Sequence, residues 1–312
     1  GLDYTINEIL VSNGAKQSVC NTLMALVNDG DEVIIPTPYW VSYPQMVKLA
    51  GGNPVFVNAG FEQNFKMTPE QLEAAITPKT KMLILCSPSN PTGSVYSHEE
   101  LAGLAEVIKK HEGVYVMADE IYEHINYIGK HASIAKIEGM KERSIIVNGV
   151  SKAYAMTGWR IGYIAAPEWI VKGCNKLQGQ YTSGPCSVSQ KAAEAAYTGD
   201  QSCLATMRAA FERRKNLVVS MAREIPGLKV NDPQGAFYIF PDASYYIGKS
   251  YNGKKIENSG DLALFLLEVG HVACVGGGAF GAPDCIRMSY ATSEDNLTKA
   301  FTRIKEALAK LS

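Results

Sequence analysis

The sequence predicts an α/β fold, with a large domain on a mainly parallel sheet followed by a smaller C-terminal α+β domain. Three observations predict it. Short apolar runs alternate with stretches of helical periodicity over the first half of the chain, the signature of strands joined by crossover helices. Most of those runs are continuously apolar rather than alternating, as expected for strands covered on both faces. After about Gly184 the pattern changes to long helices with few strands between them.

In chain order, a helix is expected over 16–28, with Val19, Leu23, Leu26 and Val27 on one face. Strand-like runs follow at 32–35, 54–57 and 81–86. A second helix, over 97–111, turns Leu101, Leu104, Ala105 and Ile108 inward. Further strands are expected at 114–118, 144–147 and 161–166. Residues 187–223 read as helix with a short break near Gly199-Asp200, and strands are expected at 236–240 and 285–290. A last helix begins at Thr292, with Asp295 completing a capping-box pattern. Leu297, Phe301, Ile304, Leu308 and Leu311 then recur at helical spacing. We place the large domain at 1–200 and the small domain at 201–312.

Composition narrows the function. The chain has 312 residues, 46% hydrophobic and 20% charged, which is ample for a core and suggests about two domains. Lys plus Arg number 30 and Asp plus Glu 31, a net charge of -1. No global field would hold a polyanion, so nucleic acid is not an expected partner. The seven cysteines are scattered without a CxxC pair, which fits a reducing compartment and a cytoplasmic protein. His124 and His131 lack a third ligand at the usual metal spacing, and we read them as surface or hydrogen-bonded histidines. No apolar run reaches the ~18 residues of a membrane span. The chain opens on Gly1 without an initiator Met. It reads as a fragment or a processed product, and the targeting of its parent is open.

The segment that carries most chemistry is Ser151-Lys152-Ala153-Tyr154-Ala155-Met156-Thr157-Gly158-Trp159-Arg160-Ile161-Gly162, just past a strand. A Lys there either snorkels to water or sits partly desolvated as a Schiff-base nucleophile. Alone it favours the first reading; its neighbours favour the second. Ser151 offers a hydroxyl and Arg160 a fork suited to phosphate oxygens. Upstream, Ser12-Asn13-Gly14-Ala15-Lys16 opens a helix, and the amides of Gly14, Ala15 and Lys16 form a ready anion site. Asp119 follows an apolar strand, where α/β folds bind ligands. It reads either as a helix cap or as the partner of a protonated pyridine nitrogen. Tyr122 and Asn90, the latter within Asn90-Pro91-Thr92-Gly93, follow strands too and are placed to hydrogen-bond the phenolic oxygen of such a ring.

Taken together these segments resemble the fold-type I, class I aminotransferases over essentially the whole chain and in the same order. The resemblance adds Pro38-Tyr39-Trp40-Val41-Ser42-Tyr43, Asp119-Glu120-Ile121-Tyr122 and Ile286-Arg287-Met288-Ser289-Tyr290. It is strongest to the bacterial-type aspartate aminotransferases, some of which also act on prephenate. It implies the pyridoxal-phosphate-dependent transferase fold, pyridoxal phosphate as cofactor, an amino acid and a 2-oxo acid as substrates, and a homodimer. By resemblance, Lys152 carries the cofactor as a Schiff base and shuttles a proton, Asp119 pairs with the pyridinium, and Tyr122 and Asn90 bond the ring oxygen. Trp40 stacks on the ring; Ser151, Arg160 and the amides after Gly14 hold the phosphate. Arg287 clamps the substrate α-carboxylate and Lys16 meets a distal carboxylate, with Trp40 and Asn90 beside the substrate.

Family members carry a further segment before the position matching Gly1, which supplies a loop over the substrate and part of the dimer contact. Two alternatives to transamination therefore stand at this point: a lyase using the same cofactor on the same fold, and a truncated chain that binds cofactor with little turnover. Two other patterns lead nowhere. Gly276-Gly277-Gly278-Ala279-Phe280-Gly281 fits a dinucleotide fingerprint but leads into Pro283 and a strand. Ser133-Ile134-Ala135-Lys136 fits S-x-x-K without its companion motifs.

Overall fold

A computed structural model describes all residues from Gly1 to Ser312. The first half alternates strands and helices: β1 (Ile9–Asn13), α1 (Ala15–Leu26), β2 (Glu32–Thr37), α2 (Ser42–Leu49), β3 (Asn53–Asn58), α3 (Pro69–Ala75), β4 (Thr80–Cys86), α4 (His98–Lys110), β5 (Tyr115–Asp119), β6 (Ser144–Gly149) and β7 (Ile161–Ala165). These strands form one sheet in the order β1-β7-β6-β5-β4-β2-β3. β3, β2, β4, β5 and β6 run parallel, while β7 is antiparallel to both β6 and β1. The expected mainly parallel α/β sheet is therefore present.

Continuous apolar strands fit because each face of the sheet is covered. Along β2, Val33 and Ile35 join Val19 and Leu23 of α1 in one core, while Ile34 points to the other side with Leu101 and Leu104 of α4. α4 starts as the sequence indicates, with Ser97 and Glu100 closing a reciprocal capping box that satisfies helix-end amides. α1 is shorter than expected. It begins at Ala15, one residue before the expected start, and ends at Leu26, two before the expected end; Gly14, with no side-chain acceptor, occupies the N-cap at φ 80.

α5 (Glu168–Tyr181) returns across the sheet, and α6 (Ser187–Thr198) and α7 (Ser202–Arg223) follow with a break at 199–201. Then come β8 (Tyr238–Ile239), the hairpin β9 (Ser250–Tyr251) and β10 (Lys254–Lys255), α8 (Ser259–Gly270), β11 (Val275–Gly276), β12 (Ile286–Ser289) and α9 (Glu294–Leu308). A three-stranded sheet, β11-β12-β8, packs with α7, α8 and α9 around a second core. Into it α9 places Leu297, Phe301, Ile304 and Leu308, with Leu311 beyond.

Two expectations need correction. The strand at 236–240 shrinks to two paired residues, because Ala236 sits at φ 55 and its amide bonds the Ile125 carbonyl instead of a ladder. The last helix is capped by Ser293, whose hydroxyl accepts the Asn296 amide, so Thr292 and Asp295 do not form the expected box. Residues 276–281 hold a strand end and a short 3-10 helix, so the glycine-rich run opens no α-helix, as expected.

Candidate active site

The topology brings one end of each central strand to a single edge. β4 ends at Cys86, β5 at Asp119, β6 three residues before Lys152, and β1 just before Gly14. This carboxyl edge is where open α/β sheets bind ligands. A cavity of about 380 Å³ opens there, lined among others by Ala15, Lys16, Asn90, Ser151 and Arg287. Its volume lies in the range of cofactor sites.

At one end the residues form an anion cradle. Ala15 and Lys16 at the start of α1 line the cavity, and Arg160 closes over it; the Gly14 amide, expected to join the cradle, instead donates to the Ser12 carbonyl at 2.8 Å. The guanidinium is held by the Thr157 carbonyl at 2.6 Å and the Asn13 carbonyl at 3.4 Å. A Cβ at Gly14 would lie 2.2 Å from Arg160 Nη2, and one at Gly162 would lie 2.2 Å from the Ala15 nitrogen. Both positions must be Gly for the strand, helix start and guanidinium to meet. Ser151 is buried beside them. Amides, a hydroxyl and a guanidinium around one spot are phosphate chemistry.

In the middle lies Asp119, 5% exposed. Tyr43 donates its hydroxyl proton to Asp119 Oδ2 at 2.5 Å, and the Ile121 amide donates to Oδ1 at 3.3 Å. Burial nevertheless pushes the Asp119 carboxyl up to about 6. The Lys152 ammonium offsets only a small part of this, and a protonated pyridine nitrogen would add a further cation. Burial also lowers the Lys152 ammonium, helped by repulsion from Arg160 and Arg287 and opposed by Asp119. More of the amine is therefore in the free-base form that attacks carbonyls. Tyr122 shares a 2.9 Å hydrogen bond with Tyr238. Burial drives the nearby Cys86 thiol up to about 12, so it stays protonated.

The outer part is cationic. Arg287 donates from Nη1 to Asn90 Oδ1 at 3.0 Å and lies against the rings of Tyr238 and Phe280, 4.7 and 4.8 Å from their centroids. Lys16 Nζ lies 4.9 Å from the Trp40 ring, which itself meets Tyr43 edge-on. The phosphate cradle, the cation-deficient Asp119 and the desolvated Lys152 fit pyridoxal phosphate on all three of its handles.

Every residue singled out from the sequence is gathered at this cavity; Gly14 alone does not line it but turns the chain beneath Arg160. Sequence reasoning gave no role to Tyr43, Ile121 or Thr157, which stand inside its motifs, and missed Cys86 and Tyr238. Tyr43 lies three residues past Trp40, a spacing that a helix would place on one face. No local signal marks Tyr238.

Known proteins place this geometry. The family described as aminotransferase class I and II matches residues 1–304. Relatives include the aspartate/prephenate aminotransferase of Cereibacter sphaeroides, 52% identical, covering 100% of this chain and 79% of that protein. The aspartate aminotransferase of Geobacillus stearothermophilus is 50% identical over 97% of this chain and 77% of its own length. The solved aspartate aminotransferase of Rhizobium meliloti superposes with TM-score 0.97 at 46% identity, over 100% of this chain and 79% of that one. This chain thus spans about four fifths of these relatives, and 66% of the bifunctional Petunia hybrida enzyme. The chain belongs to the class I and II aminotransferases, enzymes that depend on pyridoxal phosphate to move an amino group between an amino acid and a 2-oxo acid. Within that family it is similar to the aspartate and aspartate/prephenate aminotransferases.

Proposed function

We propose that this chain transfers the amino group of aspartate or glutamate to a 2-oxo acid, with pyridoxal phosphate held by Lys152. The observation that carries the reading is one cavity that joins a desolvated Lys152 and a buried Asp119 to two further cations, Lys16 and Arg287. A dicarboxylic substrate has a carboxylate for each of those cations.

When bound, the cofactor supplies an electron sink for the pair left at the substrate Cα as its proton departs. The chain's own residues do the rest. Lys152 Nζ takes the Cα proton, and its lowered basicity lets it release that proton again. Asp119 holds the pyridine nitrogen proton, and Tyr43 keeps the carboxylate aimed. Arg287 receives the α-carboxylate in its fork. Asn90 spends Oδ1 on Arg287, which leaves Nδ2 to donate to the ring oxygen beside Tyr122. Trp40 would lie against the ring, and Lys16, 4.9 Å from the Trp40 centroid, would meet a distal carboxylate.

We read the working enzyme as a homodimer, since Tyr181 and Val188, 63% and 67% exposed, flank the turn between α5 and α6. An isologous pair is the commonest arrangement. Seven free cysteines fit the cytoplasm, and no helix is long and apolar enough to cross a membrane. The test is product analysis with aspartate and 2-oxoglutarate. Oxaloacetate and glutamate in equal amounts are expected; release of ammonia, hydrogen sulfide and pyruvate from cysteine without any 2-oxo acid would mean a lyase instead, and cofactor binding without product would mean a chain that only binds.

A further inference from the structure

We propose that Glu120, Glu123 and His131 form a site for a divalent transition-metal cation of the zinc type, on the opposite side of the β5 end from the active site. Sequence spacing gave no hint of it, because the third ligand comes from a loop that folds back. Glu120 and Glu123 stand three residues apart in the turn after β5, and His131 returns just before the short 3-10 helix at 134–136. One ligand atom from each lies within 4.8 Å of the others. They face a cavity of about 440 Å³ on the far side of β6 and β7.

The groups there are only partly satisfied: Glu123 Oε1 lies 3.3 Å from His124 Nε2, but His131 Nδ1 and the Ser133 hydroxyl have no partner. Glu120 is 5% exposed, and its Oε2 lies 3.0 Å from His131 Nε2, yet neither ring nitrogen has an aligned hydrogen-bond partner. Independently, the Ser133 hydroxyl is buried on the same cavity, 4% exposed, with no partner. The Tyr4 hydroxyl, also lining it, is unpartnered as well. Buried polar groups are nearly always paired. Several orphans round one cavity mark a missing polar occupant.

Charge gives the occupant its sign. Two carboxylates and the Lys136 ammonium line the cavity, so once His131 gives up any proton to bind as a neutral imidazole the set carries one net negative charge. An imidazole in the set selects a borderline cation over Mg²⁺ or Ca²⁺, which favour all-oxygen shells. Zinc bonds of about 2.0–2.2 Å require ligand atoms about 3.4 Å apart, so small side-chain rotations would close the present spacing. A water held by Ser133 would complete a tetrahedron. The cation would pin the 120–131 loop to the end of β5. It would also neutralise Glu120, whose charge adds to the burial that opposes ionisation of Asp119.

The test uses the full chain loaded with pyridoxal phosphate, stripped with chelator, and titrated with ZnCl₂ by calorimetry. Co²⁺ serves as a visible-absorption probe of the same site. One equivalent per chain is expected, undisturbed by millimolar Mg²⁺. Glu123→Gln and His131→Ala should each weaken Zn²⁺ by about 100-fold or more, since even the loss of an outer-shell partner costs 10–100-fold. Absence of stoichiometric binding, or binding unchanged in Glu123→Gln, would overturn the site. If far-UV circular dichroism shows that His131→Ala does not fold, Glu123→Gln decides alone, because its carboxylate is the most exposed of the three ligands.

Discussion

Asp119→Asn should make the cofactor-free protein more stable while damaging its function. In the folded chain burial raises the Asp119 carboxyl from 3.8 to about 6. At about 1.4 kcal/mol for each tenfold in proton affinity, ionising it there costs about 3 kcal/mol more than in the unfolded chain. The native state therefore binds more protons than the unfolded state between about pH 4 and pH 6, and the stability of the parent falls as pH rises through that window. Above it the full penalty is present. The amide never ionises, still accepts the Tyr43 hydroxyl, and escapes the penalty. Urea unfolding of both cofactor-free proteins should show equal stability near pH 4 and an advantage of about 3 kcal/mol for the variant at pH 8. All other titrating groups are common to both and cancel in the difference. With cofactor the ranking should reverse, because a neutral amide cannot hold the pyridinium proton. A pH-independent difference between the two cofactor-free proteins would refute the reasoning.

Other substitutions test the neighbouring roles. Lys152→Ala should bind pyridoxal phosphate only noncovalently; borohydride reduction and peptide mapping should label Lys152 in the parent, and a label on another lysine would reject the assignment. Arg287→Lys should lower kcat/KM for aspartate by roughly 2–5 kcal/mol in activation free energy, the cost of leaving a carboxylate poorly paired. Unchanged kinetics would exclude the clamp. Lys16→Ala should reduce selectivity for aspartate over alanine, most clearly at low ionic strength; an equal loss for both amino acids would point to the phosphate cradle instead.

The sheet and the site were legible in different degrees, for physical reasons. The central strands announced themselves because double-sided burial demands continuous apolar runs. β1 did not, since Ile9-Leu10-Val11 is a short run whose strand state comes from pairing with β7. α2 carries Pro44 near its start, and α3 has only seven residues. α8 is apolar on nearly every side from Leu262 to Leu267, which hides its period. Among the site residues, those with distinctive chemistry in ordered motifs were found. Tyr43 and Tyr238 were not, because their partners lie 76 and 116 residues away. The Glu120, Glu123 and His131 cluster escaped for the same reason: a loop, not a periodic element, assembles it.

The contact of Gly162 with the start of α1 has a consequence for synthesis on the ribosome. β1 is made well before β7, its only sheet partner. The anion cradle needs Gly14 and Arg160 together, so a nascent chain cannot grip the cofactor's phosphate until Arg160 has emerged. The early segment must wait unpaired, and long-range closure of this kind is slow. Arg287 arrives later still, on β12. The emerging polypeptide thus acquires its affinities in sequence, cofactor first and substrate carboxylate last. Fluorescence of pyridoxal phosphate on stalled chains of increasing length would time the moment when the edge of the sheet closes.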